Sequence, residues 1–151
     1  HRGSAFIEIF QNCLIFNDGA FDAVTDREIR DDHRVELVHG RPLLFGRARD
    51  RGIRIQGLTP EVVKVGPGGV PESELAVHDE HAKNPALAYL LSQLDNPDYP
   101  VPVGVFRELR ETTYEEAVHA QIRAARESGK GQDLEALLRE GDTWTVPPSK
   151  G

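Results

Sequence analysis

Four sets of residues in this sequence are of types that do chemistry. Cys13 is the sole cysteine, and an ionised thiol is a nucleophile, a redox group or a soft metal ligand. His78 and His81 lie three apart with Asp79 and Glu80 between them. Such donors suit a divalent ion when they converge, as two histidines do on one helical turn. His39 stands before Gly40, and imidazole is the usual general acid or base near neutrality. Gly66-Pro67-Gly68-Gly69 is the kind of loop whose amides can cradle phosphate.

Each set also has a plainer reading. A cysteine that follows a buried strand is commonly a small inert hydrophobe. His78 closes an extended segment, so its ring and that of His81 do not clearly converge, and a polar loop before a helix accounts for all four residues. His39 suits a hairpin turn. The glycine loop lacks the Lys-Ser ending and the following helix of a P-loop, so a linker explains it.

The elements that must position these groups can be read in order. Phe6, Ile7, Ile9 and Phe10 predict a strand buried on both faces, and Asn17-Asp18-Gly19 predicts a turn. Cys13 is thereby placed just past the carboxyl end of a core strand, the edge where open α/β sheets bind ligands. Residues 22–33 predict a short helical turn and then a loop. Val35 to Val38, Leu43 and its neighbours, and Ile53-Arg54-Ile55 predict an antiparallel meander. Residues 57–74 read as loop, with Glu61 to Val65 a strand candidate inside it. Asn84-Pro85 opens a helix whose apolar face is Leu87, Leu90, Leu91 and Leu94. Val103 to Phe106 predicts a strand that rejoins the sheet. Thr112 or Thr113 caps a helix through a capping box; Val118, Ile122 and Ala125 form its inner face, and Gly129-Lys130-Gly131 ends it. Asp133 caps a last helix with Leu134, Leu137 and Leu138 inward. The tail from Asp142 carries Trp144 and Val146.

The run G-x-A-F-I-E-I-F-Q-N-C-x-x-F-N-D-G-A-F, from Gly3 to Phe21, resembles the C-terminal part of the β subunit of 2-oxoacid:ferredoxin oxidoreductases, the 2-oxoglutarate type above all. Arg30-Asp31-Asp32, Leu37-Val38-His39-Gly40, Phe45-Gly46, Val77 to His81 and Pro102 to Arg107 extend the resemblance along nearly the whole chain. It implies an α/β fold: the C-terminal half of a thiamine-diphosphate-binding domain over residues 1–107, with a partly parallel sheet, flanking helices and a hairpin/loop insertion. A helical C-terminal extension would follow over 108–151. It implies three cofactors for the intact subunit: thiamine diphosphate, Mg²⁺ and one [4Fe–4S] cluster. In the family the cysteine at the position of Cys13 is the fourth cluster ligand; four thiolates make the usual cage. Asn12, Asn17 and Asp18 would then either bond cluster sulfurs or simply build the turn. Arg47, Arg49, Arg51 and Arg54 could face coenzyme A or a partner subunit, though a solvated charged face is the commoner role of such runs.

The family's GDG motif for diphosphate and Mg²⁺ does not occur; Gly141-Asp142 is followed by Thr143. Its CxxC pair and third cysteine are also absent. The expectation is therefore a piece of the subunit, inactive alone. The implied reaction of the whole is oxidative, coenzyme A-dependent decarboxylation of 2-oxoglutarate to succinyl-CoA, with electrons passing to ferredoxin and an α subunit completing the active site. A non-catalytic docking module of a larger oxidoreductase complex is the rival class. A metal-dependent hydrolase built on His78 and His81 is a third.

Composition bounds these readings. The 151 residues suffice for one core. The net charge of −7 argues against a nucleic-acid partner, which would call for a basic excess. No apolar run approaches a membrane span and no signal peptide is visible. A single cysteine excludes an internal disulfide and fits a reducing cytoplasm.

Overall fold

The computed structural model describes residues 1–129, 133–142 and 144–148. Its ordered elements are α1 (Asp22–Thr25), α2 (Arg30–His33), β1 (Arg34–Leu37), β2 (Leu44–Phe45), β3 (Arg51–Gln56), β4 (Thr59–Lys64), a 3₁₀ turn (Glu72–Glu74), α3 (Ala86–Ser92), β5 (Val101–Gly104), α4 (Tyr114–Glu127) and α5 (Leu134–Leu138). The chain divides into two units, one of residues Ile7–Arg110 and one of His1–Phe6 with Glu111–Gly151. The fold is α/β, with a parallel sheet and helices.

The larger unit holds two small sheets. β1 and β5 pair in parallel, from Arg34 opposite Val101 to Leu37 opposite Gly104. β2, β3 and β4 form an antiparallel sheet in that order. The meander is therefore real, but its membership differs from the expectation. The Leu37 segment leaves it for the parallel pair, and β4 takes its place. Gly57 and Leu58 form the two-residue turn that lets Gln56 face Thr59, and Gly57 takes the positive φ of 64° that this turn demands. Pro60 lies in β4, the free edge of the sheet, where a missing N–H costs no ladder bond.

One apolar core joins both sheets to α3. Val35, Leu37, Leu43, Phe45, Ile53, Leu91 and Leu94 are buried together, with Leu87, Leu90, Tyr99 and Phe106 packed on them. The helix begins as its sequence dictates: the Asn84 side chain accepts from the Ala86 amide at 3.0 Å, and the leucines at helical spacing turn inward. A second cluster of Leu44, Val65 and Leu75 sits beside it.

The Phe6–Phe10 stretch overturns its expectation. It forms no strand, and Phe6 is 93% exposed and Ile7 77%. A strand apolar on both faces is stable only with ladder partners beside it and layers above and below. None of the five strands described pairs with it. Cys13 consequently sits in an exposed loop, not past the end of a core strand.

In the smaller unit Thr113 accepts from the Glu116 amide at 3.2 Å, and the Glu116 carboxylate accepts from the Thr113 amide at 3.1 Å. The capping box is thus present. Asp133 likewise caps α5 through the Glu135 amide. The apolar faces of these helices are not inward, however. No described residue of α4 or α5 is buried, because nothing described covers them. Lys130, Gly131 and Thr143, named above at helix ends, lie outside the described residues.

Ile53 has no exposed surface and stands where β3 meets the core. Ile53→Ala should lower unfolding free energy by about 2–5 kcal/mol in urea titrations. Val62→Ala, at a half-exposed site on β4, should cost under ~1 kcal/mol. Equal losses at both sites would contradict this placement of the core.

Candidate functional site

The loop around Cys13 is built by its own turn chemistry. The Asn17 amide donates to the Cys13 carbonyl at 2.9 Å. The Asn12 side chain donates to Asp18 at 2.8 Å and accepts from the Gly19 amide at 3.0 Å. Gly19 adopts the positive φ of 75° that the turn requires. Phe10 and Phe21 close the base of the loop with ring centroids 5.2 Å apart. Asn12 and Asp18 thus serve the turn.

The thiol itself is surrounded by amides. The backbone N–H of Phe16, then that of Ile15, favour the thiolate; slight desolvation opposes them and the Asn17 N–H assists. Together they hold the Cys13 thiol below its ordinary pKa. The thiolate is the form that ligates metal and attacks electrophiles. Hydrogen bonds to sulfur are also what tunes an iron–sulfur centre.

A second group forms where two loops meet. The segment after β1 runs beside the segment before α3: the Gly40 amide donates to the His78 carbonyl at 2.8 Å, and the His78 amide to the Arg41 carbonyl at 2.9 Å. The His78 ring turns inward and is 1% exposed. Its Nε2–H donates to the Val105 carbonyl at 2.8 Å. His78 therefore cannot share a metal with His81, and the hydrolase built on that pair is excluded. His39 takes its place. The donor atoms of His39, Glu80 and His81 lie within 4.8 Å of one another, and the two imidazole rings are 4.8 Å apart at 45°. Sequence reasoning weighed His39 and His81 separately. No local spacing joins them; only the pairing of the two loops does.

The arginine run is largely occupied. Arg51 bonds Asp32 and lies over the Phe45 ring at 5.0 Å. Arg47 bonds the Glu28 carbonyl. Arg54 reaches Glu61 at 3.0 Å and Glu74 at 2.9 Å, which raises its pKa. Asp32 is held below the ordinary carboxylate range, first by the Arg47 amide and then by Arg51. These contacts tie α2 to β3, β3 to β4, and the loop after β2 to the loop before α2.

The glycine loop closes on itself. The Gly69 amide donates to Gly66 and the Val70 amide to Lys64, at 2.9 and 2.8 Å. A Cβ on Gly69 would stand 2.2 Å from the Lys64 carbonyl oxygen. These amides are spent on the turn, so the loop offers no phosphate cradle. No helix among the described residues is long and apolar enough to cross a membrane.

The amide setting of Cys13 has a measurable consequence. Per unit of lowered pKa, thiolate rises roughly tenfold near neutrality while intrinsic nucleophilicity falls about threefold, so the net rate increases. Iodoacetamide should alkylate Cys13 faster in the folded chain at pH 7 than in urea. Equal rates, given that the thiol is exposed in both states, would show that the amides do not act on it.

No family model matches the chain, and no solved structure matches it. Among curated proteins, the 2-oxoglutarate oxidoreductase subunit KorB of Mycobacterium tuberculosis is 39% identical over 150 residues. That alignment spans 97% of this chain and 39% of the relative. The chain is therefore related, over nearly its whole length, to a portion of a 2-oxoglutarate oxidoreductase subunit, as its motifs led us to expect.

Proposed function

We propose that this chain is part of the β subunit of a 2-oxoacid:ferredoxin oxidoreductase acting on 2-oxoglutarate, and that Cys13 supplies one thiolate to its [4Fe–4S] cluster. The observation that carries the reading is the similarity to the mycobacterial subunit across nearly all of these residues. The setting of Cys13 supports it: an exposed sulfur, kept towards thiolate by surrounding amides, fits one corner of such a cluster. When bound, a cluster there would pass electrons singly to ferredoxin. The remaining thiolates must come from sequence beyond these residues.

Thiamine diphosphate and Mg²⁺ do not find a fitting site here. The motif for them is absent, and the glycine loop spends its amides internally. No step through either is assigned to this chain. The role of these residues is to hold one sulfur and to pack against the rest of the enzyme. The exposed apolar run from Phe6 to Phe16 is the surface that other parts of the subunit or the α subunit would cover. The substrates of the whole enzyme would be 2-oxoglutarate and coenzyme A, in a reducing cytoplasm. The rival docking reading draws on the same apolar surface but gives Cys13 no metal.

One experiment separates the two. The enzyme is assembled from its complete β and α subunits, reduced with dithionite and examined by electron paramagnetic resonance. Cys13→Ala, which removes the ligand atom, should abolish the [4Fe–4S] signal and ferredoxin reduction by 2-oxoglutarate. A full cluster signal in that variant would overturn the assignment of Cys13.

A further inference from the structure

We infer that His39, Glu80 and His81 form a binding site for a divalent ion of the zinc class, independent of the sulfur at Cys13. The geometry of one nitrogen carries the inference furthest. His81 Nδ1 stands 3.0 Å from the Glu108 carbonyl. A carbonyl only accepts, so Nδ1 bears the proton. In the neutral ring Nε2 then carries the lone pair. That lone pair meets Glu80 Oε1 at 3.5 Å. Two acceptors facing each other repel unless a proton or a metal cation lies between them.

The spacing suits a metal ion. Zinc donors at about 2.0–2.1 Å in a tetrahedron stand roughly 3.3 Å from each other. The Glu80–His81 pair already has that separation. The donor of His39 is within 4.8 Å of both, and rotation of a half-exposed ring closes the rest. A bond from the non-ligating ring nitrogen to a carbonyl or carboxylate is the usual support for a ligating histidine. His81 has it from Glu108. For His39, Asp79 Oδ1 lies 3.6 Å from Nδ1, an electrostatic neighbour beyond hydrogen-bond range. Asp79 is itself held in place by the His81 amide at 3.0 Å.

Two imidazoles and one carboxylate select a borderline ion of the zinc, cobalt or nickel kind over calcium or magnesium, which prefer all-oxygen shells. Three protein donors leave a fourth position open. A shallow cleft lined by His81, Glu108, Leu109 and Arg110 lies beside the cluster, with room for a water or a small anion. The frame is firm: the Glu108 amide donates to the Glu80 carbonyl at 2.7 Å, and Arg107 donates to the Ala82 and Lys83 carbonyls at 3.1 and 2.9 Å.

The test is titration of the chelator-treated 151-residue chain with zinc by calorimetry and with cobalt by visible absorption. Cys13→Ser serves as the background, so that sulfur cannot contribute. One equivalent should bind, with the intense visible bands of four-coordinate cobalt. His39→Ala and Glu80→Gln should each weaken zinc by at least about tenfold. His119→Ala, on exposed α4, should leave it unchanged. Both tested side chains are partly exposed, and unchanged far-ultraviolet circular dichroism would show that the variants remain folded. Two outcomes would overturn the site: no stoichiometric uptake, meaning that His81 and Glu80 form only a protonated ion pair, or binding insensitive to His39 and Glu80, meaning that the metal is held elsewhere, as at the amino terminus.

Discussion

One buried imidazole ties three distant segments of the chain together. His78 gives its ring N–H to the end of β5, its backbone N–H to Arg41 and its carbonyl to Gly40. A polar side chain at that depth needs at least one hydrogen bond to offset its lost hydration, and the Nε2–H bond to Val105 supplies it. Its Nδ1 has no partner among the described residues, so the Val105 bond is what anchors the ring. The loop after β1, the loop before α3 and the end of β5 are thereby fixed as one frame. With His78 turned inward, its neighbours His39, Glu80 and His81 are left on the outer side of that frame.

What was legible in the sequence was local. Asn84-Pro85 and the leucine spacing specify α3, and Thr113 with Glu116 specifies the start of α4, because capping and amphipathic period act within a few residues. What was not legible was who pairs with whom. The Leu37 segment fits a meander by pattern but finds a parallel neighbour in β5. The pattern of Phe6 to Phe10 states how a strand would be buried, not whether its neighbours are at hand, so a correct period yields an exposed segment. The convergence of His39 on Glu80 and His81 is likewise a product of loop pairing, invisible to any spacing rule. The turn role of Asn12 and Asp18 around Cys13 was one of two readings, and the structure shows its bonds.

The two chemical settings differ in kind. At Cys13 a soft sulfur is exposed on a short self-closed loop, polarised by amides. At the His39 group three nitrogen and oxygen donors converge on a frame tied to the core. Under the proposed function the first would become a centre only with thiolates from elsewhere in a longer subunit; the chain spans 39% of its relative. The second is complete within the larger unit. The second follows from the frame around His78.

That frame is tested most directly by amide hydrogen exchange. The amides of Gly40, Leu43, Ala76 and His78 each donate to a carbonyl of the paired segments or of β3. They should exchange only on global unfolding, orders of magnitude slower than those of Ile7 and Ile9, which lie in no ladder. If Gly40 and His78 exchanged as fast as Ile7, the loops would not be locked, and the account of how this chain brings its histidines together would fail.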